Sequence, residues 1–182
     1  MSTATLITAE EFSGMSFDKP VELVRGEIVE MTNPAMRHGE VCSNISLLLR
    51  LWDRQHRRFV VATNDASVLT QRDPDSIRGP DVLVISRDRL PERKSPSVPS
   101  NVPPEVAVEV LSPSDRWPDV IAKVAEYLAA DVREVWVVDS ADKSVFVFLH
   151  EDHPTELGVD DVLTSRALDG FSCSVSDFFE GL

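Results

Sequence analysis

Cysteine is scarce in this chain of 182 residues, with two in all, Cys42 and Cys173. They lie far apart and form no C-x-x-C pair, so neither a disulfide framework nor a cysteine zinc site is expected. Basic residues are also in short supply. Eighteen Lys and Arg against thirty-one Asp and Glu leave a formal net charge of −13. Nucleic-acid binding draws most of its strength from phosphate neutralisation, so this balance disfavours a general DNA binder; a local basic surface or a bound cation can still outweigh it. Long apolar runs are missing. None approaches the roughly 20 residues of a membrane span, and the first residues lack the basic start and apolar core of a signal peptide. A cytoplasmic protein without a membrane partner is expected. Glycine-rich phosphate loops of the P-loop or Rossmann kind are absent. Ser112-Pro113-Ser114 has no G-x-S-x-G around it, and its serines read as capping residues rather than nucleophiles.

What is present is ordinary for a globular chain: 42% hydrophobic and 27% charged residues. The length suits one domain, residues 1–182, with a single sizeable core. Thr8 with Glu11 has capping-box spacing and predicts a short helix over 7–13. Residues 21–31 alternate around Arg25-Gly26 and predict a hairpin, with the turn type open. Val41, Ile45, Leu48, Leu49 and Trp52 recur at helical spacing, predicting a long helix from about Pro34 to near Gln55. A basic cluster follows at Arg54, His56, Arg57 and Arg58. Residues 59–70 have strand character, 71–79 read as a polar loop, and Asp81 opens an aliphatic strand to Ile85. Residues 86–104, charged and proline-rich, predict a long connection. A buried strand over Val106 to Leu111 precedes a helix with Pro118 in its first turn, running to Ala130 with Val120 or Ile121, Val124, Ala125 and Leu128 on one face. Two strands, 133–139 and 143–149, an edge strand over 162–168 and a closing helical turn over 175–179 complete the order. Together these predict an α/β (α+β mixed) domain: a central mixed β-sheet flanked by helices.

Glu109 stands out. It lies mid-strand among aliphatic residues, and an ionised carboxylate is rarely buried unless it is paired or bound to a metal. Asp81 heads another aliphatic strand, and Lys123 sits on the following helix. Two carboxylates on neighbouring strands can share a divalent cation, and a lysine above them can orient an attacking water or stabilise a pentavalent phosphate. The expectation is that Asp81, Glu109 and Lys123 meet at one metal-dependent site. The competing readings are that Asp81 merely starts a strand, Glu109 pairs with a basic residue, and Lys123 pairs with Asp119 at i, i+4. His150-Glu151-Asp152-His153 has the composition of a metal cluster but reads as a solvated turn. Tyr127, one turn from Lys123, reads as packing.

Several stretches resemble one family in order and spacing. Gly79-Pro-Asp-Val-Leu-Val-Ile85, Pro103-Pro-Glu-Val-Ala-Val-Glu-Val-Leu-Ser-Pro-Ser-Asp115, Lys123 with Tyr127, and Val132-Arg-Glu-Val-Trp-Val-Val-Asp139 are similar to the Uma-two family of restriction-endonuclease-like proteins, within the PD-(D/E)XK nuclease superfamily. The resemblance extends to Glu22-Leu-Val-Arg-Gly-Glu-Ile-Val-Glu30, Met36-Arg-His-Gly39, Asp169-Gly-Phe-Ser172 and Asp177-Phe-Phe179, and so covers nearly the whole chain. It implies a restriction-endonuclease-like core with an added N-terminal hairpin, Mg²⁺ or Mn²⁺ held by Asp81 and Glu109, DNA as substrate and a homodimer. The superfamily's usual lysine, two residues after the second acid, is Leu111 here, and Lys123 occupies the place to which the family moves it. His38 and Glu40 are secondary candidates, with an exposed or capping first helical turn as their alternative. Asp131 stands where the family usually has a glycine after the helix, a departure that concerns the helix end. The rival reading is a nuclease fold that has lost activity and serves as a nucleic-acid- or protein-binding module, which the negative charge and Leu111 favour. A dimeric structural module is a third.

Overall fold

The computed structural model describes residues 6–182 except 33, 56, 65, 97–98 and 151. It opens with helix α1 (Ala9–Ser13), where Thr8 and Glu11 form the expected reciprocal capping box. Strands β1 (Val21–Val24) and β2 (Glu27–Glu30) follow as an antiparallel hairpin. At its turn Arg25 and Gly26 both take positive φ, 52° and 79°, the pattern of a type I′ turn, so the backbone settles the type that one glycine left open.

Helix α2 (Met36–Trp52) buries Val41, Ile45 and Leu49, as the periodicity requires, but stops three residues short of Gln55. The Asp53 carboxylate accepts the amides of Arg58 and Phe59, which turns the chain into strand β3 (Phe59–Thr63). Arg54, Arg57 and Arg58 are exposed; His56 lies outside the described residues. The stretch read as one strand region divides: β3 belongs to the large sheet and β4 (Val68–Gln71) to the small one. The polar loop after β4 holds a strand, β5 (Ser76–Arg78), that its short polar sequence did not signal. Leu23 pairs with Ile77 and gives the small sheet the order β2-β1-β5-β4, with α1 packed on Leu23 and Ile77.

The large sheet contains β6 (Val82–Ser86), β7 (Val106–Val110), β8 (Glu134–Asp139), β9 (Ser144–Leu149) and β10 (Thr155–Leu157), in the order β10-β9-β8-β7-β6-β3. Only β7 and β8 run parallel, because helix α3 (Trp117–Ala129) carries the chain back between them; the other pairs are antiparallel, so the sheet is mixed. On one face Val82, Val84, Val106, Val108, Val110 and Trp136 pack against α2, with Phe171 and Phe178 stacked on Trp136. On the other, Ala107, Val135 and Val137 meet Val124 and Tyr127 of α3. Val120 and Leu128 are half-buried members of the predicted helix face, while Ile121 and Ala125 are exposed.

Two expectations need correction. Residues 162–168 are not an edge of the main sheet: β11 (Val162–Thr164) pairs with β12 (Ser172–Ser174) in a separate ribbon, and β10 supplies the edge. The loop after β11 is tied down by Glu134, which accepts hydrogen bonds from the Ser165 hydroxyl and the amides of Arg166 and Ala167. The serines before α3 do not cap it, since the N-cap is Arg116, without a side-chain bond, and Asp115 accepts the Ser112 amide instead. The closing helical turn falls where it was expected: Val175–Phe179 is 3₁₀ and packs on α2.

Candidate active site

Extending the β6–β7 register one step past the pair Val82↔Val108 sets Asp81 opposite Glu109. Directly opposed residues have Cβ atoms about 5 Å apart. Asp81 ends the ladder with its side chain, its Oδ2 accepting the Val110 amide at 2.7 Å. It is more than the start of a strand. Its Oδ2 also lies 3.2 Å from Nε2 of His38, on the first turn of α2. That contact, with a second from Cys42, raises the His38 imidazole to about 10.

Glu109 alternates onto the α3 face of the sheet, where α3 meets it with two donors. Lys123 Nζ lies 2.9 Å from Oε2, and the Tyr127 hydroxyl donates to Oε1 at 2.7 Å. Lys123 does not pair with Asp119, which binds Arg116 instead. Its second partner is Glu22 of β1, with Oε1 at 3.0 Å. Leu111, two residues beyond Glu109 and so on the same face, packs with the apolar cluster beneath α3. The ammonium that could have come from position 111 descends from the helix.

Sequence reasoning missed the third acid and what stands behind it. Glu22 is buried, accepting the Gly79 amide on Oε1 and Arg78 Nη1 on Oε2 at 2.9 Å. Arg78 in turn chelates Glu126 through Nε and Nη2, and the Thr70 hydroxyl binds the same carboxylate. A chain of alternating charge, Glu126–Arg78–Glu22–Lys123–Glu109, therefore joins the small sheet, α3 and the large sheet. The only signal in the sequence was a carboxylate between aliphatic residues in Val21-Glu22-Leu23-Val24, the pattern that singled out Glu109.

Burial raises the Glu109 carboxyl to about 7, against the pull of Lys123, and the charges of Asp81 and Glu22 push the same way. Burial also acts on Glu22 and Lys123, but their partners prevail. Lys123 and Arg78 hold Glu22 below its usual range, and Glu109 with Glu22 keeps Lys123 charged well above its own. Glu109, Asp81, Lys123, Glu22 and His38 line one hollow of about 450 Å³. Glu40 is exposed and lines no part of it. Of the His150–His153 stretch, Asp152 pairs with Arg166, and residue 151 lies outside the described residues.

Asp81 and Glu109 are the oxygen donors that could hold a divalent cation in this hollow. Two oxygen donors on adjacent strands face an open hollow, and their mutual repulsion is what a cation between them would relieve. Each carboxylate offers about four lone-pair positions, so the bonds already made to Glu109 leave acceptor capacity free.

The sequence profile of the Uma2 family, described as "Putative restriction endonuclease", matches residues 9–176. The chain belongs to this family. No curated protein matches it. A solved structure from Anabaena variabilis ATCC 29413, described as "a putative nuclease belonging to DUF820", superposes with a TM-score of 0.80 at 19% identity, covering 95% of this chain and 97% of the other. At that identity the likeness establishes the fold. This family member thus has a nuclease fold, with an acid–lysine cluster at the meeting point of its two sheets.

Proposed function

We propose that this protein is a metal-dependent endonuclease that hydrolyses phosphodiester bonds of DNA. One observation carries the reading: Asp81, just before β6, and Glu109 of the neighbouring β7 line one open hollow together with a charged Lys123 that is bonded to Glu109. Asp81 and Glu109 hold the cation, Mg²⁺ or Mn²⁺. When bound, that cation polarises the scissile phosphate and lowers the pKa of an attacking water. Lys123 is a positioning and charge-stabilising donor rather than a base, because its two carboxylate partners keep it protonated. Its third N–H remains for a water or a phosphate oxygen. Tyr127 fixes Glu109 through Oε1 and leaves Oε2 toward the lysine. Glu22, itself held by Arg78 and the Gly79 amide, limits how far the ammonium can move.

The test is Mg²⁺- or Mn²⁺-dependent cleavage of single-stranded, duplex and branched DNA, comparing wild type with Lys123→Ala. Losing one preorganised donor to the developing charge should slow cleavage by about 100-fold or more. If no substrate is cut, the chain is better read as a binding module on a nuclease fold. Equal cleavage by the variant removes Lys123 from the mechanism.

A further inference from the structure

Beside the hollow that holds Glu109 and Lys123 lies a second, of about 380 Å³, and His38 and Asp81 form the wall between them. The second hollow is lined on the α2 side by Cys42, one helical turn beyond His38. Residues four apart on a helix project the same way. Cys42 Sγ is 3.5 Å from His38 Nδ1, and Asp81 Oδ2 is 3.2 Å from Nε2. One ring nitrogen of His38, the Cys42 sulfur and one Asp81 oxygen all lie within 4.8 Å of one another, and among the described residues they are the one group so placed.

We propose that His38, Cys42 and Asp81 form a second cation site, one that takes a thiophilic first-row ion such as Zn²⁺ or Co²⁺. A sulfur, an imidazole nitrogen and a single carboxylate oxygen are the donors of tetrahedral zinc-type centres, whereas Mg²⁺ and Mn²⁺ favour oxygen. Around a tetrahedral ion with bonds of about 2.0–2.3 Å, neighbouring ligand atoms stand roughly 3.3–3.6 Å apart. The His38–Asp81 separation is already close to that; because Cys42 lies at Nδ1 and Asp81 at Nε2, binding requires the His38 ring to turn so that one nitrogen meets the ion between the sulfur and the carboxylate. Three protein ligands leave the fourth position open to the second hollow, for water or for an anionic oxygen. Neither cysteine belongs to a C-x-x-C pair, so spacing between cysteines concealed this site; the His-x-x-x-Cys spacing on α2 reveals it once β6 delivers Asp81. The proposal does not depend on DNA cleavage. It shares only Asp81 with the hard-cation site, so the two ions compete for one carboxylate.

Titration of the metal-stripped full-length protein with Co²⁺, followed by absorption, tests it. Wild type should bind one ion, with an intense thiolate-to-cobalt charge-transfer band in the near ultraviolet and the visible bands of a tetrahedral ion. Cys173→Ser should behave as wild type. Cys42→Ser should lose the charge-transfer band and bind about tenfold more weakly or worse, and Asp81→Asn should weaken binding while retaining the band. Absence of the band in wild type, its survival in Cys42→Ser, or its loss in Cys173→Ser each overturns the site. The readout is independent of catalysis: a cobalt–thiolate band without any DNA cleavage would sink only the nuclease reading, and cleavage without the band only this one.

Discussion

Single residues carry the chemistry here, and their surroundings decide what each can do. Glu22 and Glu109 are two carboxylates that share Lys123, and their environments push them in opposite directions. Glu109 is lifted because burial outweighs its lysine, while Glu22 is lowered because two cations outweigh its burial. A carboxyl whose folded-state pKa is lowered stabilises the protein above its unfolded value of 4.5, and loses that contribution as pH falls through the folded value. Glu22→Gln should therefore be less stable than wild type at neutral pH, with the gap narrowing below about pH 4.5; urea denaturation across pH 3–7 reads it. A gap that stays constant across that range would show that Glu22 acts through packing alone. Leu111 offers a sharper probe. It shares a face with Glu109, so a lysine there would reach the same carboxylate by the superfamily's usual route. In a Lys123→Ala background, Leu111→Lys should restore about tenfold or more of the lost cleavage rate, and no recovery would mean that the helix supplies something besides an ammonium.

At the scale of elements, α3 does two jobs: it connects the parallel pair β7 and β8, and it lowers Lys123 and Tyr127 onto Glu109. Its end is therefore part of the site's geometry. Asp131 takes φ of 64° there, with its amide bonded to the Leu128 carbonyl and that of Val132 to Tyr127, the two bonds of a Schellman motif. A residue with a Cβ pays about 1–2 kcal/mol in this left-handed conformation. Asp131→Gly should recover about 1 kcal/mol, seen as a higher urea midpoint at unchanged slope. No change would mean that the aspartate side chain compensates locally. Helix existence and type were legible in the sequence because periodicity and caps are local. β5, β10 and β12, each three residues long, were not, because such short strands are held by pairing partners rather than by their own pattern.

For the whole molecule, the main feature is how the small sheet is joined to the large one. Arg78 of β5 holds Glu22 of β1 and Glu126 of α3, and the Glu22 that it fixes in turn holds Lys123. The N-terminal hairpin thus builds part of the site's wall. Removing one partner from a largely buried ion cluster leaves the others uncompensated. Arg78→Met should cost about 3–5 kcal/mol in urea denaturation, and should weaken divalent-cation binding measured by calorimetry. A loss below 1 kcal/mol would show that the two carboxylates find other partners.

The sequence by itself determined the order of the principal helices and strands, the two-faced burial of the central strands, and the presence of carboxylates where apolar residues belong. These follow from side-chain periodicity and from the cost of burying charge, which are local properties. Only the tertiary structure decided that Asp81 and Glu109 line one hollow, that Lys123 turns down to the sheet rather than along its helix to Asp119, and that Glu22, Arg78, His38 and Cys42 converge on the same place. Those relations depend on strand register and on the docking of one sheet against a helix of the other. Both are set by packing between residues far apart in the chain, and no local pattern encodes them.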